Sequence, residues 1–165
     1  MILIIDGNNL LGGYRTNRTN WSAVRKDLVL KLVKYVGVTG RKVKIVFDGV
    51  EDTLYPEGII FKGVQIFYAR VGKDADERIK SMVRNASYIR DITVVSSDRE
   101  LTSCVSGLGA KVMTRETFRC ELSTLRYREG KNLKESDLKA EDISEWLTFF
   151  GINENDDFKK GPFKK

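Results

Sequence analysis

Acidic side chains follow the strands that the sequence predicts. Three short apolar runs each end in or near an aspartate, and a predicted helix begins with two more. These residues are Asp6, Asp48, Asp98, Asp74 and Asp76. Because the carboxyl ends of parallel strands lie along one edge of a sheet, where open α/β sheets bind their ligands, we expect these side chains to lie close together.

A cluster of this kind favours metal chemistry. Two carboxylates about 4 Å apart repel each other by roughly 4 kcal/mol at an effective dielectric constant near 20. Three or four of them therefore need protons or cations nearby. Mg²⁺ and Mn²⁺ prefer oxygen ligands, and a carboxylate-bound ion can orient a water molecule and neutralise the charge that develops on a phosphodiester. The pattern thus indicates a divalent-metal site that acts on a phosphate ester.

Each aspartate also has a structural interpretation. Asp6 and Asp48 each precede a glycine, which is a common turn pair. Asp74 and Asp98 could cap helices, and Asp76 would suit a first helical turn. For any single aspartate the structural interpretation is the more common one. The joint pattern, with every aspartate at the same predicted edge, favours a site.

The absence of histidine narrows the chemistry further. The chain contains no histidine, which excludes Ser-His-Asp and Cys-His hydrolysis, histidine acid–base catalysis and histidine-bound zinc. Its net charge is +6 and its pI is about 9.3. This balance favours a polyanionic partner such as RNA or DNA, although the same charge could simply serve solubility. Any catalysis must therefore use carboxylates, lysines, hydroxyls or an oxygen-bound metal.

The elements that must position these residues alternate between strand and helix. Apolar runs predict strands over residues 2–5, 43–47, 64–69, 92–95 and 111–113. Helical spacing predicts helices over residues 21–36, 73–89, 99–106, 115–125 and 139–150. The polar, glycine-rich residues 7–20 are predicted to form a loop. This alternation is typical of an α/β protein with a mostly parallel sheet.

The length bounds the organisation of the chain. A chain of 165 residues suits one domain with a single core. No apolar run reaches the roughly 18 residues that a membrane helix needs, and the run at residues 2–5 is too short for a signal peptide. We therefore expect one cytoplasmic domain without a membrane partner, followed by a charged, mobile tail over residues 153–165.

Four short motifs occur in a fixed order along the chain. They are an apolar strand into Asp6-Gly7-Asn8-Asn9, then Phe47-Asp48-Gly49, Ala75-Asp76-Glu77-Arg78-Ile79 and Ser96-Ser97-Asp98-Arg99-Glu100. In this order they resemble the NYN domains, and more narrowly their YacP-like bacterial branch within the PIN-like nuclease superfamily. The resemblance implies a PIN-like three-layer sandwich with a mostly parallel central sheet over residues 1–152. It also implies a divalent-metal site and endoribonuclease activity, in a branch linked to RNA turnover and ribosomes.

The resemblance further implies roles for individual residues. The positions that match the metal-holding acids of the family are Asp6, Asp76 and Asp98. The positions that match a further acid and two polar, substrate-binding side chains are Asp48, Asn8 and Ser97. Asp74 is an additional carboxylate, which leaves the choice between Asp74 and Asp76 open. The family often has another residue at position 8, and the loop over residues 10–20 differs, which leaves the substrate preference open.

Basic side chains near the predicted edge are candidates for phosphate contacts. These are Arg15, Arg18, Lys73 and Arg99. We therefore expect a single domain that cleaves single-stranded RNA with one or two Mg²⁺ or Mn²⁺ ions, through in-line attack by a metal-activated water. Two alternatives belong to other classes. One is a non-catalytic RNA- or ribosome-binding module with the same fold, and the other is a phosphatase or receiver domain, which the missing second aspartate of a DxD motif disfavours.

Overall fold

The computed structural model describes residues 1–12, 21–69 and 74–132, with the backbone alone over residues 125–132. The strands in these ranges are β1 (Ile2–Asp6), β2 (Lys42–Phe47), β3 (Ile60–Phe61), β4 (Val64–Tyr68), β5 (Ile92–Val95) and β6 (Lys111–Met113). The helices are α1 (Gly7–Leu11), α2 (Trp21–Thr39), α3 (Ala75–Arg84), α4 (Arg99–Gly107) and α5 (Arg115–Asn132). A 3₁₀ turn over Ile89–Asp91 precedes β5. No helix within the described ranges has the length and apolar character needed to cross a membrane.

The strands form one six-stranded sheet in the order β3-β4-β2-β1-β5-β6. Every neighbouring pair is parallel except β3 and β4, which pair antiparallel. The central strands β1 and β5 are buried over nearly their whole length. Burial on both faces explains their continuous apolar sequences, because helices cover both sides of a parallel sheet.

Helices cover both faces of the sheet and make a three-layer sandwich. One core lies between the sheet and helices α1, α2 and α5, with Leu28 and Phe118 fully buried in it. The other lies between the sheet and helices α3 and α4, with Ile79 and Val105 fully buried in it. The predicted α/β fold with a mostly parallel sheet is therefore confirmed.

The prediction of a loop from residue 7 is wrong at its start, because Gly7–Leu11 forms helix α1. The Asp6 carboxylate caps this helix by accepting a hydrogen bond from the Asn9 backbone N–H at 3.0 Å. Leu10 and Leu11, each 1% exposed, hold the helix against the core. Residues 13–20 of the predicted loop lie outside the described residues.

Gly7 is required at the junction of β1 and α1. A Cβ atom at this position would lie 2.5 Å from Cδ1 of Phe47 and 2.9 Å from the Val46 carbonyl oxygen. No side chain fits there, so the glycine permits the close approach of α1 to the end of β2.

Several predicted boundaries shift for local reasons. The helix predicted over residues 73–89 is shorter, because Asp74 caps its start and Asn85 ends it. The helix predicted to stop before residue 37 continues to Thr39, because Gly40, with a φ of +65°, supplies the left-handed turn that ends it. The helix predicted over residues 115–125 extends to Asn132, and β3 was not predicted at all. The helix and tail predicted beyond residue 132 lie outside the described residues.

Candidate active site

The carboxyl edge of the sheet gathers the predicted acidic residues. Asp6 is the last residue of β1, Asp48 follows β2, and Asp98 lies between β5 and α4. Asp76 lies in the first turn of α3. We refer to these four residues as the carboxylate cluster. Four elements that are distant in sequence thus deliver acids to one edge, as the parallel topology requires.

Asp6 lies at the buried centre of the carboxylate cluster. It is 5% exposed, and its carboxylate accepts hydrogen bonds from the Asn9 N–H at 3.0 Å and the Ser96 hydroxyl at 3.2 Å. Burial raises the pKa of Asp6, and the charges of Asp48 and Asp98 raise it further, against the lowering effect of the two hydrogen bonds. Asp6 is therefore held in one orientation and is sensitive to the surrounding charges.

Asp76 responds most strongly to the other acids. Its pKa is raised to about 6, first by burial and then by the charges of Asp6, Asp98 and Asp74, while Lys80 acts in the opposite direction. The same carboxyl group in water would have a pKa near 4. The charges act on Asp76 because the end of β1 and the starts of α3 and α4 lie at the same edge of the sheet.

Asp98 and Asp48 also hold the backbone around the site. The Asp98 carboxylate caps α4 by accepting a hydrogen bond from the Leu101 N–H at 2.9 Å. The Asp48 carboxylate accepts a hydrogen bond from the Ala75 N–H at 2.7 Å and so ties the end of β2 to the start of α3. The predicted helix cap at Asp98 is thus confirmed, whereas Asp48 supports the backbone through a contact with α3 in addition to the predicted turn pair. Both roles are compatible with membership of the cluster, because each carboxylate oxygen can accept more than one bond.

Asp74 and Asp76 occupy different positions. The exposed Asp74 carboxylate caps α3 by accepting a hydrogen bond from the Glu77 N–H at 2.9 Å. Asp76 is half-buried, and its charge couples to Asp6 and Asp98. The geometry therefore places Asp76, rather than Asp74, among the converging acids.

The polar side chains of α1 connect the loops at this edge. Oδ1 of Asn8 accepts a hydrogen bond from the Asp48 N–H at 3.3 Å, and Oδ1 of Asn9 accepts one from the Ser97 N–H at 2.9 Å. The Ser97 hydroxyl donates to Glu116 at 2.9 Å and accepts from the Arg115 N–H at 3.1 Å. Asn8 and Ser97, which the sequence predicts to bind substrate, thus make contacts that fix the loops around the carboxylate cluster.

The predicted basic residues are only partly described. Arg99 is the first residue of α4 and is exposed beside Asp98. Arg15, Arg18 and Lys73 lie outside the described residues.

Lys80 and Arg25 are two site neighbours that the sequence reasoning missed. Lys80 is 7% exposed and pairs with Glu77 at 3.1 Å and Glu100 at 3.3 Å, which joins α3 to α4 beside Asp76. Its i,i+4 spacing from Asp76 was a usable signal, because residues four apart share one face of a helix.

Arg25, on α2, supports the backbone after β2. It donates to the Val50 carbonyl at 3.0 Å and to the Asp48 carbonyl, and its guanidinium lies 5.1 Å from the centre of the Phe47 ring. No sequence signal indicates this contact, because Arg25 is distant in the chain and lies on a helix of the opposite layer.

The charges of the cluster raise the pKa values of Asp6 and Asp76, but its side chains do not surround a single point as the ligands of a bound metal ion would. In the described part of the chain, no three side chains of the types Asp, Glu, Cys or His lie close enough together to hold a metal ion between them. The donor atoms of the carboxylate cluster are all oxygen, which is the chemistry that Mg²⁺ and Mn²⁺ prefer. The cluster therefore fits a hydrated divalent ion in chemical type, with water completing the contacts.

The chain thus combines a three-layer α/β sandwich with acids at the carboxyl edge of a parallel sheet, the arrangement that the family resemblance predicts. A profile of the YacP-like NYN domain matches residues 3–148. The chain therefore belongs to the YacP-like NYN domain family, which places it at a coarse level among phosphodiester hydrolases.

Known relatives agree with this assignment. The chain is similar to the uncharacterized protein YacP of Bacillus subtilis (strain 168), with 26% identity over 139 residues that cover 81% of each protein. The crystal structure of Rae1 (YacP) from Bacillus subtilis shares the fold, with a TM-score of 0.66, 22% identity, and coverage of 90% of this chain and 87% of that one. A tryptophan-to-leucine variant of the same protein gives a TM-score of 0.67 at 23% identity, with coverage of 90% and 91%.

Proposed function

We propose that the chain is a divalent-metal-dependent endoribonuclease that cleaves single-stranded RNA. The observation that carries this proposal is that the parallel sheet brings Asp6, Asp76 and Asp98 to one edge, where burial and then the neighbouring charges raise the pKa of Asp76. Repulsion of this kind costs stability, and proteins retain it at functional sites, where a bound cation can neutralise the acids. The net charge of +6 on a chain with an acidic edge further supports a polyanionic substrate that needs a cation at the point of cleavage.

Asp6, Asp76 and Asp98 would hold Mg²⁺ or Mn²⁺, directly or through water, and Asp48 would support this network. A bound ion would supply an activated water and would neutralise charge on the phosphodiester. The ion's outer contacts would run through water, which Mg²⁺ usually retains in protein sites.

Residues of the chain itself would fix the geometry of the reaction. Ser96 and Asn9 orient the Asp6 carboxylate through their hydrogen bonds. The Asp48 carboxylate positions the start of α3, and with it Asp76. Lys80 limits the pKa rise of Asp76 and so favours its ionised form near neutral pH.

Basic side chains around this acidic edge would bind the phosphates of the substrate. Arg15, Arg18, Lys73 and Arg99 are the proposed phosphate contacts, with Asn8 and Ser97 as polar groups near the scissile bond. We further propose that the enzyme acts in the cytoplasm, in mRNA turnover at the ribosome. That proposal rests on the family resemblance.

A cleavage assay tests the proposed activity. Purified protein should cut a fluorescently labelled single-stranded RNA internally when Mg²⁺ or Mn²⁺ is present and should not cut it in EDTA. Asp98→Asn should lower the rate by orders of magnitude while retaining the helix cap, because asparagine caps about as well as aspartate. Asp27→Asn, which removes the acid of a partly buried ion pair on α2, is the matched control and should cut normally. Cleavage that persists in EDTA would exclude the metal mechanism.

A non-catalytic RNA- or ribosome-binding module is the second candidate. The observation in its favour is that, among the described residues, no three acidic or cysteine side chains lie close enough together to hold a metal ion between them. The two candidates differ in metal binding. A nuclease should bind Mn²⁺ in calorimetry, with loss of binding in Asp76→Asn, whereas a pure binding module should bind RNA equally well with and without divalent ions.

A further inference from the structure

A groove of about 980 Å³ runs beside α3, away from the carboxylate cluster. Glu77 and Arg78 line its upper end, one residue beyond Asp76, and Met1 and Gly40 line its lower end at the amino edge of the sheet. The upper end of the groove thus lies on the same helix as Asp76, and the groove extends from there towards the amino edge of the sheet. Residues of β1, β2 and β4 form its floor.

The strand register places two lysines on this floor. Lys42 pairs with Ile2, and Lys44 pairs with Ile4. Ile2 and Ile4 pack in the core under α3 and α4, so the lysines, as their paired neighbours, project from the same face. Asp48 continues the same alternation along β2, so this face changes from basic at its lower end to acidic at its upper end.

The two lysines lack an ion-pair partner among the described residues. By contrast, the groove residues Glu77 and Arg78 pair with Lys80 and Glu57. Asp91, at the lower end, is the remaining acid of the lining. The floor thus offers two cations to an anionic ligand.

Aromatic side chains accompany these cations. The half-buried Phe67 ring lies in the groove, with Nζ of Lys44 6.0 Å and Cζ of Arg78 5.1 Å from its centre. Tyr88 lines the lower part and is 78% exposed, which is unusual for an aromatic residue without a partner. Alternating cations and exposed rings are the combination that binds single-stranded nucleic acid, because phosphates meet the cations and bases stack on the rings.

We propose that the single-stranded RNA substrate continues along this groove from the carboxylate cluster, with phosphates on Lys42 and Lys44 and a base on Tyr88. The inference rests on the proposed nuclease function, since it assigns the path of that substrate. Strand β2 has six residues and so spans roughly 20 Å, which is long enough for several nucleotides. The groove adds affinity for RNA on one side of the cleaved bond without contributing to the chemistry.

Binding in EDTA separates this path from catalysis. The variant Lys42→Gln/Lys44→Gln and its control Lys26→Gln/Lys34→Gln, which removes two exposed charges from α2, carry the same net charge. Fluorescence anisotropy with a labelled single-stranded RNA should be measured over a salt series. Loss of two phosphate contacts should lower the slope of log K against log salt by about 1.4 and weaken binding about 25-fold at 0.1 M salt. The control should show a clearly smaller change in both quantities.

Tyr88 supplies an independent measurement. Tyr88→Ala should weaken RNA binding by about 5- to 150-fold, the usual effect of losing one stacked base, and Tyr88→Phe should bind RNA as the wild type does. Equal affinity and salt slope in the groove double variant and its control would overturn the proposed path, as would normal binding by Tyr88→Ala. Variants that melt at a lower temperature but bind RNA normally would also overturn the proposed path. The groove residues would then stabilise the fold by contacting another part of this chain. None of these measurements depends on cleavage. Failure of the proposed RNA path can therefore be distinguished from failure of the proposed nuclease activity.

Discussion

Replacing Asp76 with asparagine should stabilise the metal-free protein near neutral pH. The folded protein raises the pKa of this group from 3.8 to about 6. A difference of about two pKa units corresponds to roughly 3 kcal/mol of penalty for the ionised form. Solvent screening of this half-buried group, together with loss of a favourable charge at the start of α3, reduces the net gain to about 1–2 kcal/mol.

The pH dependence of this gain follows from the direction of the shift. Below a pH of about 4 the carboxyl group is protonated in both states, and Asp76 carries no charge penalty. Between pH 4 and 6 the unfolded state loses its proton while the folded state retains it, so the stability of the wild-type protein falls. Above pH 6 the penalty is complete. The unfolding free energy of Asp76→Asn should therefore exceed that of wild type by an amount that grows between pH 4 and 6 and stays constant above pH 7.

Urea unfolding in EDTA at several pH values between 4 and 8 measures this difference. Asp74→Asn is the comparison on the same helix: asparagine can replace the exposed cap, and loss of the Asp74 charge, which adds less to the pKa of Asp76 than the charges of Asp6 and Asp98, should give a smaller gain. Addition of Mg²⁺ or Mn²⁺ should then stabilise wild type by mass action and Asp76→Asn much less. A variant that is no more stable than wild type at pH 7.5, or that keeps its full metal response, would refute the inferred convergence of charges at Asp76.

Three further outcomes follow from the site and its supports. Lys80→Met should raise the pH midpoint of Mn²⁺ binding, because the Lys80 ammonium lowers the pKa of Asp76. Titration calorimetry from pH 5 to 8 measures this midpoint, and an unchanged value would show that Lys80 does not act on the site. Gly7→Ala should cost about 1–3 kcal/mol in urea unfolding, because the added Cβ would overlap the neighbouring phenylalanine ring; wild-type stability would contradict this. Arg15→Ala/Arg18→Ala should raise KM for RNA at an unchanged melting temperature, and normal kinetics would place both outside the substrate path.

The sequence by itself determined the fold class and the edge at which the acids lie. Strands buried on both faces must be continuous apolar runs, and the runs at β1 and β5 were recognisable for that reason. Parallel pairing then brings Asp6 and Asp98 to the same edge whatever the side-chain details. The four motifs in order also indicated the family, which the profile match over residues 3–148 bears out.

Short-range features were predicted less well, because contacts that are distant in the chain decide them. Helix α1 has only five residues, too few to be stable alone, and it forms because Asp6 caps it and the core buries Leu10 and Leu11. The choice between Asp74 and Asp76 likewise required the orientation of α3, which the hydrogen bond from Ala75 to Asp48 sets.

Only the tertiary structure decided which cations serve which surface. In the sequence, Lys42, Lys44 and Lys80 are three of 29 basic residues, and only Lys80 carries a local signal, its spacing of four residues from Asp76. The helix packing buries Lys80 between the acids of α3 and α4. The strand register turns Lys42 and Lys44 onto the open floor beside α3. Charge at a position is fixed by the residue type, but the field that it creates depends on which charges the fold brings within a few ångströms and how much water remains between them.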